Sequence, residues 1–300
     1  MIKVALIGKG YWGSKIQKYL LEDERFCIKG VYDSQSCLRR EVFDNHSIEA
    51  VILATPNSTH YPIAKEAILS KKHVMCEKPL ALNSSECIEL DFLSKDRNVV
   101  LCTEYTHTFS KSIILAKKMI ENGDIGEICN IEMQMKQLGQ FGKGNAYWLL
   151  ASHMLAVLDM FIPIEEQNFQ KRDLIVNNGI VETGLINFNK KNVYGNILVS
   201  LNYPSKIRNI VIQGSNGKIE YNPLMNQSLH LVKDIAQNQY GTKKYEKYFE
   251  FDESNNLKYA IDYFYSVIIG EEESNIKRSI AVTKILEELH PDTTIQKYLF

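Results

Sequence analysis

Three glycines, an aspartate and a lysine carry the chemistry open to this chain. Gly8, Gly10 and Gly13 form a G-x-G-x-x-G turn, with Tyr11 and Trp12 inside it, directly after the apolar run 3–7. A helical pattern marked by Ile16 and Leu20 follows at once. Gly8 permits the tight turn, Gly10 lets the backbone approach a pyrophosphate, and Gly13 lets helix and strand pack closely. The helix N-terminus offers unpaired N–H groups and a partial positive charge to phosphates. A second apolar run, 26–32, delivers Asp33, 20 residues beyond Gly13, where a carboxylate can bond a ribose 2′-hydroxyl. Strand, glycine turn, helix, strand and acid in that order predict a dinucleotide site. Asp33 favours NAD, since a carboxylate repels a 2′-phosphate; Arg39 and Arg40, if they fold back, keep NADP open as the alternative.

Lys78 follows the short apolar strand 73–76, at the carboxyl edge of the predicted sheet, where doubly wound folds bind ligands. A lysine partly desolvated there has a lowered pKa and can exchange a proton near neutrality. A surface lysine at a strand end is the competing reading. Thr55, Pro56 and Asn57 end the strand 50–54, so their backbone can line the same cleft, and His60 opens the next helix beside it. A polar-capped turn explains residues 57–59 as well.

The positioning elements alternate. Apolar runs at 3–7, 26–32, 50–54, 73–76 and 99–102 are separated by helical patterns, including 62–70 and a helix opened by the capping-box pair Asn83 and Glu86. Continuous apolar strands between helices predict a parallel sheet covered on both faces, a Rossmann-type α/β domain over residues 1–104. Beyond a helix at 112–122, stopped by Gly123, period-two patterns appear at 128–135, 184–188, 193–203 and 208–213. With hairpin turns at Asn216-Gly217 and 189–192, they predict a second α+β domain, residues 105–300, built on a large, mostly antiparallel open sheet. Helices are expected at 147–161, 257–269 and 279–289, and a loop or edge strand at 232–251. Glu104, Tyr105, Thr106 and His107 are expected to open this second domain. The polar loop 137–145 and Lys206 and Arg208 are further places where substrate, phosphate or carboxylate can be held.

The 300 residues suggest about two domains, and 45% hydrophobic residues suffice for ordinary cores. A net charge of −1 argues against a nucleic-acid binder. No apolar run approaches a membrane span, and the N-terminus enters a strand directly, which predicts no signal peptide and no membrane partner. The six cysteines make no C-x-x-C pair, so no metal or redox motif is visible, and buried free thiols in a reducing, cytoplasmic compartment are expected.

Several segments resemble the Gfo/Idh/MocA family, named for glucose–fructose oxidoreductase and inositol dehydrogenase. They are Ile7-Gly8-Lys9-Gly10-Tyr11-Trp12-Gly13, Ala54-Thr55-Pro56-Asn57-Ser58-Thr59-His60, Glu77-Lys78-Pro79-Leu80-Ala81, Gly123-Asp124-Ile125-Gly126-Glu127-Ile128 and the strand-turn-strand 208–221. The resemblance implies an NAD(P)-dependent oxidoreductase and a C-terminal sheet that makes homodimers or homotetramers. It assigns Lys78 to substrate binding and proton transfer, Glu77 to the nicotinamide ribose and His153 to catalysis. The Tyr-Trp pair and Trp148-Leu149-Leu150-Ala151-Ser152-His153 look most like members acting on nucleotide-linked sugars, so a sugar or nucleotide-sugar substrate is implied. The chain departs from the pattern where relatives carry acids around this histidine. Here stand Leu149, Met154 and Ala156. That departure motivates the alternative of a non-catalytic dinucleotide-binding sensor of the same fold.

Overall fold

Five short runs of aliphatic residues, apolar on both faces, form a parallel sheet in the computed structural model, which describes residues 1–32, 39–139, 144–238 and 241–290. The strands are β1 (Ile2–Ile7), β2 (Phe26–Tyr32), β3 (Ala50–Leu53), β4 (His73–Glu77) and β5 (Leu101–Glu104), in the order β2-β1-β3-β4-β5. Between them run α1 (Tyr11–Leu21), α2 (Arg39–Asp44), α3 (His60–Leu69) and α4 (Ser84–Arg97). Strand alternation sorts the side chains into two cores. Ala5, Ile7, Val51, Leu53, Val74 and Cys76 point to the face covered by α3 and α4. Val4, Leu6, Ala50, Ile52 and Met75 point to the other, against Ile16 and Leu20 of α1. The capping box forms as expected: Asn83 Oδ1 accepts from the Glu86 N–H at 2.9 Å.

The expected domain boundary is corrected at the C-terminus. The chain divides into Met1–Thr106 with Leu257–Phe300, and His107–Asn256. The two last helices, α7 (Asn256–Ile268) and α8 (Ile276–Leu289), return to the first unit. Leu257, Ile261 and Phe264 repeat at helical spacing and fill the core beside α1, and Ile276 joins the opposite core. Asn275 bonds both backbone groups of Thr103, accepting from its N–H at 2.9 Å and donating to its carbonyl at 2.7 Å.

The second unit is built on an eight-stranded sheet. Its strands are β6 (Ile128–Leu138), β7 (Asn168–Asn177), β8 (Ile180–Lys190), β9 (Val193–Ser200), β10 (Asn202–Gly214), β11 (Gly217–Tyr221), β12 (Leu229–Asn238) and β13 (Gly241–Phe249). The order is β13-β12-β11-β10-β6-β9-β8-β7, antiparallel except for the β6–β9 pair. Ile131, Met133, Ile186, Phe188, Ile197, Val199, Ile210 and Ile212 make its buried face. The unit also holds α5 (Lys111–Glu121), capped by Ser110, and α6 (Ser152–Phe161), which continues a π-turn at Tyr147–Ala151.

Two local expectations change, and the edge strand expected within 232–251 is present. The run 193–203 is two strands, broken at Leu201, whose N–H turns to the Glu182 carbonyl at 2.7 Å. The two-residue hairpin turn is Ser215-Asn216, and Gly217 opens β11 because a Cβ there would meet the Val232 carbonyl at 2.3 Å. The stretch 232–251 contains a hairpin, with β13 at the sheet edge. Of the cysteines, Cys76, Cys87 and Cys102 are buried, Cys27 is half-buried and Cys129 exposed; all five are free thiols, and Cys37 lies outside the described residues. No helix among the described residues is long and apolar enough to cross a membrane.

Candidate active site

The carboxyl edge of the parallel sheet gathers most of the residues singled out in the sequence. The glycine bend leads from β1 to α1. Gly8 has φ +116°, and a Cβ on it would lie 2.1 Å from the Ala54 carbonyl oxygen. A Cβ on Gly13 would lie 2.1 Å from the Gly8 carbonyl oxygen. These two glycines are therefore required by the fold itself. Gly10 differs. An added Cβ would meet nothing within 4 Å among the described residues, so its bareness serves none of them. Gly10 is also the N-cap of α1 and supplies no side-chain cap, which leaves the first-turn N–H groups available to an anion. Tyr11 and Trp12 occupy that first turn, exposed, with rings edge to face at 5.4 Å and the Lys15 ammonium 4.2 and 4.9 Å from their centroids. Asp33 lies outside the described residues.

The loop after β3 is tied down from within. Thr55 is half-buried, Pro56 exposed and Asn57 buried. Thr59 Oγ1 lies 2.7 Å from Thr55 Oγ1 and 2.6 Å from the Pro56 carbonyl. The expected place of His60 beside the cofactor is corrected. Its ring is wholly buried, with Nδ1 2.7 Å from the Pro79 carbonyl and Nε2 2.8 Å from the Thr55 carbonyl. Both nitrogens face backbone carbonyls, which only accept, so the neutral ring donates to one of them, and His60 lies between the loop after β3 and the loop after β4. Burial holds its pKa below the usual imidazole value.

Lys78 sits in that second loop, one residue past the end of β4 and joined to Pro79 by a cis peptide. It keeps part of its surface open, whereas Glu77 and Glu104 are buried at 9% and 1% exposure. Glu77 and Glu104 are register partners, the last residues of adjacent parallel strands. Glu104 Oε2 accepts from Thr106 Oγ1 at 2.8 Å, and Oε1 of each glutamate has no hydrogen-bond partner among the described residues. Burial and the neighbouring carboxylate push Glu77 well above the usual carboxylate range; burial pushes Glu104 up. Burial lowers the Lys78 ammonium, and the two carboxyls oppose that shift. The cluster thus holds a lysine shifted down and two acids shifted up, Glu104 to about 7. Sequence reasoning gave Glu104 to the second domain and missed it as a partner of Glu77. The signal was there: β4 and β5 both end in glutamate, and parallel register aligns such ends.

In the second unit, His153 is half-buried one residue into α6, its ring edge-on to His107 with centroids 5.2 Å apart. The π-turn ahead of it buries Tyr147 and Trp148. The methyl groups of Leu149, which stands where relatives carry an acid, occupy the space a Cβ on Gly144 would need, 2.2 Å away. Arg208 is corrected from an anion holder to a structural residue. It is buried, and its guanidinium donates to the carbonyls of Lys136 at 3.0 Å and Ile207 at 2.8 Å and to Gln137 Oε1. Residues 140–143 of the polar loop lie outside the described residues.

Residues 31–105 match the family described as oxidoreductase family, NAD-binding Rossmann fold. The chain is 30% identical over 141 residues to 2,7-anhydro-N-acetylneuraminate hydratase of Escherichia coli K12, covering 43% of this chain and 38% of that one. It is 39% identical over 89 residues to levoglucosan dehydrogenase of Pseudarthrobacter phenanthrenivorans, covering 30% and 23%. The chain thus spans well under half the length of these curated relatives. The crystal structure of an NAD binding oxidoreductase from Klebsiella pneumoniae superposes with a TM-score of 0.84 at 16% identity, over 98% of this chain and 97% of that one, which shows a shared fold. The glycine bend, the Thr-Pro-Asn turn and the Glu-Lys-Pro loop stand on successive strand ends of that fold, and the segment similar to the NAD-binding oxidoreductase family, 31–105, contains the second and third of them.

Proposed function

We propose that this protein is an NAD(P)-dependent oxidoreductase that moves a hydride between the nicotinamide cofactor and a hydroxyl- or keto-bearing carbon of a sugar or nucleotide-linked sugar. The observation that carries this reading is Lys78, partly open at the carboxyl edge of the parallel sheet, its charge disfavoured by burial and flanked by Glu77 and Glu104. Oxidising a secondary alcohol requires a group to take the hydroxyl proton, and reducing a ketone requires one to give it back. A lysine with a lowered pKa does both.

The residues present fit a dinucleotide. The open space at Gly10 and the uncapped N-terminus of α1 suit a pyrophosphate. Tyr11 and Trp12 offer exposed rings beside it, and the backbone of Thr55, Pro56 and Asn57 offers a second wall. The nicotinamide ring supplies the hydride acceptor or donor when bound. Asp33 gives preference to NAD over NADP by repelling a 2′-phosphate. His153 is assigned to a substrate hydroxyl, with no acid at positions 149 or 154 to charge its ring. The carbohydrate in the names of both relatives supports the substrate class. Self-association through the eight-stranded sheet follows the family pattern, and sedimentation of the purified chain tests it.

The deciding experiment uses the full chain. Calorimetry with NAD and with NADP is expected to give heat with NAD at lower concentration. Turnover is read from reduced-cofactor absorbance over a panel of sugars and nucleotide sugars. Lys78→Ala is expected to keep dinucleotide binding and lose at least about 10²-fold in turnover. Undiminished turnover in that variant, or no heat with either dinucleotide, overturns the reading.

A further inference from the structure

Glu77 and Glu104 raise a physical problem that the proposed reaction does not by itself answer. They end neighbouring parallel strands in direct register, which sets their backbones about 4.8 Å apart. Both are buried. One oxygen of each, Oε1, has no donor among the described residues. Two bare carboxylates cannot bond: each only accepts. Two like charges held together in a buried site are also strongly unfavourable, and one carboxyl then keeps its proton. A single proton between them removes the repulsion and supplies the missing donor.

We propose that Glu104 is a positioning residue for Lys78: it shares one proton with Glu77, and the pair, carrying one negative charge, anchors the Lys78 ammonium and balances the charge that the lysine gains when it takes a proton. This rests on the role proposed for Lys78. The charges around the cluster are few. Cys76, before Glu77 on β4, is buried and held as a neutral thiol by that burial. His60, from α3, is buried, and burial lowers its pKa against the pull of the Pro79 and Thr55 carbonyls beside its ring. Thr106 contributes a hydroxyl and no charge. The lysine and one shared negative charge therefore neutralise each other. When Lys78 as a neutral amine takes a hydroxyl proton, it becomes an ammonium beside an anion that is already in place, and nothing need reorganise.

The test reads protons directly, with no substrate. In the full chain labelled at glutamate Cδ, carbon NMR is expected to show one carboxyl still protonated at neutral pH, and Glu104→Gln is expected to abolish that signal. Glutamine donates to Glu77 as the shared proton would, but cannot ionise. In lysine-labelled protein, the Lys78 Cε signal, assigned with Lys78→Arg, reports the ammonium. Its midpoint in Glu104→Gln is expected to stay within about 0.3 pH unit of the parent, because the pair keeps one negative charge. In the double variant Glu77→Gln with Glu104→Gln it is expected to fall by about one unit or more, because the anion is gone. The absence of a protonated carboxyl in the unaltered protein overturns the shared proton, and so does a one-unit fall in Glu104→Gln alone. An unmoved midpoint in the double variant overturns the anchoring. Normal turnover of Lys78→Ala would instead sink the proposed reaction and leave the shared-proton result standing.

Discussion

The two sheets bury cations in different company. At the carboxyl edge of the five-stranded sheet, Lys78 stands beside Glu77 and Glu104, whose carboxyls are pushed up by burial. On β10 of the eight-stranded sheet, Arg208 is more enclosed than the partly open Lys78, and its donors go to the carbonyls of Lys136 and Ile207 and the amide of Gln137. None of these can take a proton. Burial pushes the Arg208 guanidinium down to about 10, which still leaves it charged at neutral pH. A buried cation is therefore no signal of function by itself; the chemistry of its partners decides. The glycines divide the same way. Gly195 and Gly217 let strands of the second sheet approach, since a Cβ on either would meet a neighbouring carbonyl at 2.3 Å, while Gly10 faces open space.

The sharpest break would come from Gly8→Ala. The residue needs φ +116°, and the new methyl would strike the Ala54 carbonyl. A loss of more than about 4 kcal/mol is expected, seen as collapse of the urea midpoint. A midpoint like the parent's would mean the bend is not held as described. Arg208→Leu comes next. It strips donors from buried acceptors and should cost about 2 kcal/mol in urea melts, with dinucleotide affinity unchanged. If affinity fell while stability held, Arg208 would belong to a ligand site and the contrast with Lys78 would fail. Gly10→Ala is the inverse case. Its methyl meets no atom of the described residues, so the melt should not move, while dinucleotide affinity drops about tenfold by overpacking against the ligand. Unchanged affinity by calorimetry would remove Gly10 from the proposed pyrophosphate cradle.

The same division governs what could be read from the residues. The parallel strands were legible because all four residues of β3 are apolar and buried, and the bend because its glycines are spaced by the backbone geometry they serve. The helices α7 and α8 were legible as helices, yet an apolar stripe such as Leu257, Ile261 and Phe264 does not name the sheet it will cover. Strand β7 was missed because nearly every residue in it is exposed, so no alternation marks it. At the site, Lys78 could be found from its loop. Glu104 could not be found from its own neighbourhood, because its partner lies 27 residues earlier and meets it through strand register. His60 and Arg208 read as ligand groups for the converse reason. Residue type shows what a side chain can bond, while only packing shows that its bonds are already made.

His60 gives the smallest and most discriminating expectation, since it is a titratable group, as in the Lys78 cluster, but is enclosed against backbone carbonyls, as Arg208 is. Its folded pKa is held down by burial, against about 6.5 in the unfolded chain. Above that value both states are neutral, and His60 adds no pH dependence. Below it the unfolded chain binds a proton that the folded one refuses, so stability falls with acidification until the folded pKa is reached. The slope from one such group is at most about 1.4 kcal/mol per pH unit. His73, also lowered by burial and accepting the Val100 N–H at 2.9 Å, acts in the same direction. Urea melts of the parent and of His60→Gln between about pH 7.5 and 5.5 separate the two, because His73 and the carboxylates cancel in the difference. The variant should start less stable at the upper end, having lost a packed ring, and then lose less on acidification. Parallel curves would mean that the His60 ring accepts its proton within the fold, a titrating group in the loop beside Lys78, and the line drawn here between locked and exchangeable groups would have to move.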